Sequence, residues 1–252
     1  MFSLTIILAA IFAMGAAFPH PHDIAITRYP TRLLAGVTVP DTPLITKSIA
    51  FARQNSDNFT FNHVMRSWLF GEIVASSDPI YKFRDREAVA IAAILHDLGW
   101  SFNQDLISKN KRFEVDGANS ARDFLIREGE KGRWDKHRLQ LVWDIISLHT
   151  QPSIWMYKEI EAQAASLGIA LDFRQPEQSP GGVITRKAWN QITHEFPRLN
   201  FRESLKNISV GFCITKPETT YDNFIRDFGE AFVPGYKYVS FLDSVWKNVP
   251  DN

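Results

Sequence analysis

Apolar residues recur along this chain at three- and four-residue spacing and never hold a strict alternation, so the pattern predicts helices and no persistent strand. Ile45, Ile49 and Phe51-Ala52 mark one short helix, and Phe61, Val64, Trp68 and Ile73 fall on one face of the next. Asp78-Pro79 is a break. The stretch Arg86 to Leu98 (REAVAIAAILHDL) is apolar apart from its start and its His96-Asp97, the pattern of a central helix buried on all sides. An amphipathic helix is expected from Asp116 to Arg127, closed by Gly129 and Gly132, and another from Arg138 to Leu148. A further helix starts at Pro152-Ser153 and runs to about Leu167 before Gly168. Beyond a surface loop at Gln175 to Gly182, helix resumes at about Ile184 to Phe196. Pro197, Pro217 and Pro234 then punctuate two more helical stretches, with Thr219 or Thr220 as cap for Tyr221 to Phe232. The class expected is all-α.

The N-terminus reads differently. Met1 to Ala17 has no charged side chain, and Leu4 to Ala13 is an apolar run of signal-peptide length followed by small residues at Gly15 and Ala17. That run is too short to cross a bilayer comfortably. The five prolines from Pro19 to Pro43 indicate an extended lead-in. The expected organisation is a signal at 1–17, a lead-in at 18–40 and one helical domain at 41–252. A secreted or secretory-pathway protein follows, with no stable membrane span after signal removal; a retained segment would leave it cytoplasmic.

Composition narrows the chemistry. Lys plus Arg and Asp plus Glu are 28 each, so the chain has no formal net charge and no general attraction for nucleic acid. A small-molecule substrate is the expected partner, and a homo-oligomer is compatible with the sequence. The single cysteine, Cys213, excludes an intramolecular disulfide and a thiolate cage, so any metal is held by His and carboxylate. Of the seven histidines, His137 and His194 sit among charged neighbours and are expected to face solvent.

His96-Asp97 is the informative pair. Burying an imidazole beside a carboxylate is costly unless both find partners, and a divalent cation satisfies both; a capped helix end is the plainer alternative. His63, on the preceding helix, adds a second imidazole ahead of the pair.

This order of a helical His, a buried His-Asp and a later Asp resembles the HD-domain superfamily of metal-dependent hydrolases, an all-α helical bundle with the metal between its central helices. More narrowly, TFNHVMRSWLFG, LHDLGW, FEVDGANSARDFL and ISLHTQPSI resemble the fungal cyanamide hydratase-like branch. The resemblance implies metal ligands at His63, His96, Asp97 and Asp172, the last in GIALDF; Asp144 in VWDIISLHT is the competing carboxylate. Such a nitrogen and oxygen set suits Zn²⁺ first, with Fe²⁺ or Mn²⁺ as alternatives. The reaction implied is addition of metal-activated water to a nitrile-like substrate such as cyanamide, giving a urea-type product. Asp97 and His149 are the expected catalytic groups, His149 as proton donor, and Asn62, Arg66, Trp100, Glu114, Asp116 and Thr150 the expected pocket. Trp68, Phe70 and Phe113 are the other aromatics expected around a small site. Two alternatives remain: a phosphohydrolase using Arg66 and Lys111-Arg112, and a metal-binding protein without turnover.

Overall fold

A helix with no polar face has to be surrounded, and the computed structural model, which describes residues 29–250, shows what surrounds this one. Eleven helices are present among the described residues. The central helix α3 (Arg86–Leu95) starts at Asp85, whose carboxylate accepts from the Ala88 amide at 3.1 Å, and every residue from Glu87 to Leu95 is buried. Around it pack α1 (Pro43–Asn55), α2 (Asn58–Ser77), α5 (Lys136–Leu148) and α7 (Ile160–Leu171). Helix α4 (Phe113–Glu128) lies against α5 and against the 3₁₀ turn Leu98–Trp100 that follows α3.

The most extensive helix contact is α2 with α7. The sequence of α7, rich in Ala and interrupted by Gly168, lets the two backbones touch: a Cβ on Gly168 would lie 2.4 Å from the Ser67 carbonyl oxygen and 2.6 Å from the Gly71 Cα. Gly99 is as constrained, since a Cβ there would sit 1.9 Å from the Phe113 carbonyl oxygen. Small residues thus hold α2 against α7, and the end of α3 against α4.

The C-terminal helices are α8 (Arg186–Glu195), α9 (Phe201–Thr215), α10 (Ile225–Phe232) and α11 (Phe241–Asn248). They join the body partly through a second, smaller apolar cluster of Phe113, Cys213 and Ile225, with Trp100, Phe212 and Phe224 packed on it.

The all-α expectation holds, with three local departures. Thr31–Leu34 and Val37–Pro40 form a two-stranded antiparallel hairpin inside the expected lead-in. Its turn residues Ala35 and Gly36 both have positive φ, 46° and 81°, the hairpin geometry that matches strand twist. The helix expected from Pro152 to Leu167 is two, a short α6 (Pro152–Trp155) and α7, because Glu159 is extended at φ −54° and ψ 152°. The last expected cap is displaced: Pro217–Thr219 is a 3₁₀ turn and α10 begins only at Ile225. The expected signal lies outside the described residues, among which no helix is long and apolar enough to cross a membrane.

Candidate metal centre

Helix α3 ends at Leu95, so His96 caps it and Asp97 leaves helical geometry at φ −102° and ψ 23°. The chain bends there, and the two neighbouring side chains reach the same point. His96 Nδ1 lies 2.8 Å from the Ala93 carbonyl, and His149, at the end of α5, uses the same device with Nδ1 2.6 Å from the Ile146 carbonyl. His63, buried on α2, has Nδ1 2.7 Å from Asp172 Oδ2. Carbonyls and carboxylates only accept. Each neutral ring therefore carries its hydrogen on Nδ1 and presents a bare Nε2.

These bare nitrogens converge. His63 Nε2 and His96 Nε2 are 3.3 Å apart, and Asp97 Oδ2 is 3.1 Å from the latter and 3.5 Å from the former. His149 Nε2 stands 3.9 Å from Asp97 Oδ1. Both Asp97 oxygens are buried without a hydrogen-bond donor. Ligand atoms of His63, His96 and Asp97 all lie within 4.8 Å of one another. Three acceptors facing one another with no donor between them are mutually repulsive, and a divalent cation is the species that fits.

Burial lowers the pKa of His63, although Asp172 and Asp97 pull the other way, and burial with His96 nearby pushes His149 down to about 4. Burial also works against the Asp97 charge, but the positive charge that a protonated His96, His63 or His149 would carry, His96 foremost, holds its carboxyl below the usual carboxylate range. Burial favours neutral rings at His63 and His149.

Asp172 occupies a different place from the one expected. Its carboxylate, fully buried at the end of α7, accepts from His63 Nδ1, from Arg66 Nε and Nη2 at 2.8 Å each, and from Arg198 Nη1 at 3.0 Å. Its lone pairs are committed behind His63, where it fixes the ring's tautomer and direction. Burial alone would raise its carboxyl, but the bonds from His63 and Arg66 keep it lowered. The competitor Asp144 is paired with Lys158 at 3.0 Å on the flank of α5, away from the three ligands.

A cavity of about 670 Å³ opens over the centre, lined by His63, Asp97, Trp100, His149 and Thr150 among others. The remaining expected pocket residues are not in its wall. Arg66 spends its third nitrogen on the Phe196 and Pro197 carbonyls, at 3.0 Å each. Asn62 donates to the Pro197 carbonyl at 2.9 Å. Glu114 stands one layer behind, accepting from Thr150 Oγ1 at 2.7 Å and from Arg112. Asp116 binds the Lys216 ammonium at 2.9 Å and the Ser108 amide at 3.0 Å, pinning the loop before α4. Trp68 and Phe70 belong to the core, Phe113 supports Trp100 from outside the cavity wall, and His137 and His194 are exposed as expected.

Sequence reasoning missed the other half of the wall: Ile169 and Phe173 flanking Asp172, Arg174 and Gln178 beyond it, and Leu205 and Phe224 from the C-terminal region. Arg198, which completes the grip on Asp172, was also missed, and its position in HEFPRLN carries no motif signal.

Comparison with known proteins agrees with this geometry. The family described as HD domain matches residues 60–187, a span that contains His63, His96, Asp97, His149 and Asp172. No curated protein matches.

Proposed function

Because the chain belongs to the HD-domain family, whose members are metal-dependent hydrolases, we propose that it adds water to a carbon-centred electrophile of the nitrile type, as in the cyanamide hydratase-like branch. The observation that carries the metal part is the donorless cluster of His63 Nε2, His96 Nε2 and Asp97 Oδ2. These three residues would hold the ion, with Zn²⁺ favoured and Fe²⁺ or Mn²⁺ suited to the same donors. When bound, the ion supplies a Lewis acid that makes water nucleophilic near neutral pH.

The chain's own residues divide the remaining work. Asp172 keeps the hydrogen on His63 Nδ1 and so keeps Nε2 bare. His149, neutral and with its own hydrogen committed to the Ile146 carbonyl, offers a lone pair at Nε2. Its role is therefore proton acceptor from the attacking water, the reverse of the donor expected from sequence. Thr150 likewise has its hydroxyl hydrogen on Glu114. A hydrogen bond to the developing negative nitrogen is available instead from Trp100, which lines the cavity and whose indole N–H is buried without an acceptor, and the proton that nitrogen finally takes is the one His149 has accepted from the water.

Two of the three cations named for the phosphate reading are taken. Arg66 is consumed by Asp172 and two carbonyls, and Arg112 by Glu114 and Asp222. The test sets cyanamide and simple nitriles, with urea or amide detection, beside a nucleotide panel with phosphate release, and adds metal analysis of wild type and Asp97→Ala. Hydration activity with bound metal, both lost in Asp97→Ala, is expected. Phosphate release without nitrile turnover would overturn the substrate reading, and unchanged metal content in Asp97→Ala would overturn the centre.

A further inference from the structure

The cavity is larger than a nitrile group needs. Cyanamide has three non-hydrogen atoms, whereas about 670 Å³ lies in the range that encloses a drug-sized molecule. Its walls beyond the ligands are apolar: Ile169, Phe173, Leu205 and Phe224, with the Trp100 indole on the near side. One cationic side chain interrupts them. Arg174 lines the same space, is only partly buried, and makes no side-chain hydrogen bond, ion pair or ring contact among the described residues. The contrast with Arg66, Arg198 and Arg112, each held by a carboxylate, is direct. A planar guanidinium left free at the wall of an apolar chamber suits a planar anion.

We propose that the substrate is an amphipathic monoanion, with an apolar body filling the chamber and a carboxylate paired with Arg174, its reacting carbon held over His63, His96 and Asp97. This rests on the hydration reading for what happens at the reacting carbon, but the recognition itself is independent of turnover. Gln178, from the same loop, supplies a neutral polar neighbour at the cavity. Two of the apolar walls, Leu205 and Phe224, lie outside residues 60–187, so the chamber's length is set by chain beyond the matched family region.

The experiment is calorimetric titration of the full chain with octanoate and with 1-octanol, zinc-loaded and again after dialysis against chelator. Repeating it without metal removes direct ligation of the carboxylate as an explanation. Octanoate is expected to bind about tenfold more tightly than octanol in both states, the size of one charge-assisted contact at a partly exposed site. Arg174→Gln should abolish that preference while leaving octanol affinity and metal content unchanged, and Arg174→Lys should restore part of it. Phe224→Asp should weaken both probes. Equal binding of the two probes by wild type, no measurable binding of either, or a preference that survives Arg174→Gln would each overturn the proposal. None of these results bears on the nitrile turnover that tests the hydration reading.

Discussion

Replacing Asp172 by Asn separates an orienting carboxylate from a metal ligand. The substitution keeps the shape and one acceptor for His63 Nδ1 but removes the charge faced by two guanidiniums. Arg66 and Asp172 have side chains that are 0% exposed, and Arg198 is 28% exposed. Leaving a buried charge without its partner costs about 3–5 kcal/mol. The lower end, about 3 kcal/mol, applies here because Arg66 keeps its carbonyl partners and Arg198 reaches solvent. For a chain of this length each kcal/mol moves the melting temperature by about 2–4 °C, so metal-free Asp172→Asn should melt roughly 6–12 °C below wild type. Loss of a carboxylate behind a ligating imidazole typically weakens metal about 10–100-fold without abolishing it. Melting followed by circular dichroism, together with zinc titration against a competing chelator, measures both. Asp97→Asn is the control: it should lose zinc outright with little loss of metal-free stability. If Asp172→Asn melts like wild type and loses zinc as completely as Asp97→Asn, Asp172 is a direct ligand and the assignment made from its hydrogen bonds is wrong.

His149 gives a pH signature in the metal-free protein. Its ring protonates near 6.5 when unfolded and near 4 when folded, so the unfolded state binds more protons between those values. Stability should fall by about 3 kcal/mol as pH drops through that window, with no contribution above it and no further loss below. His149→Gln should flatten this part of the curve; parallel curves for the two proteins would refute the buried neutral imidazole. Gly168→Ala should cost about 1–3 kcal/mol and weaken zinc binding, because it pushes apart the helices that carry His63 and Asp172. Gly211→Ala, inside α9 with an added Cβ that meets nothing within 4 Å, is the contrasting case and should gain about 0.5–1 kcal/mol in thermal melts.

The helices were legible because a buried stripe imposes its spacing on the sequence, and Arg86 to Leu95 has no other reading. His63 and His96-Asp97 were legible because polar residues on otherwise apolar helices demand a partner. The hairpin at Thr31–Pro40 was missed because four-residue strands are too short to establish an alternation, and Ala35-Gly36 is a weak turn signal beside Asn-Gly. Asp172 was located but its role was not readable: spacing places a carboxylate near a centre, and only the guanidiniums of Arg66 and Arg198, the latter 26 residues away, decide whether its oxygens are free. The same limit applies to Glu114 and Asp116, the second and fourth residues of α4, which face Thr150 and Lys216 respectively. Which ring nitrogen of His149 carries the hydrogen depends on the Ile146 backbone carbonyl, which leaves no trace in residue type.

The meeting of His63, His96 and Asp97 is a point where the sequence works against its own fold. Without an ion the three acceptors repel, so apolar or donor-bearing substitutions there would relieve local frustration and make the empty chain harder to unfold. Selection for thermal robustness alone would therefore tend to erase the centre. A library screened only for heat resistance in the presence of chelator would be biased toward inert variants at these three positions, whereas the same screen run in zinc would reward keeping them.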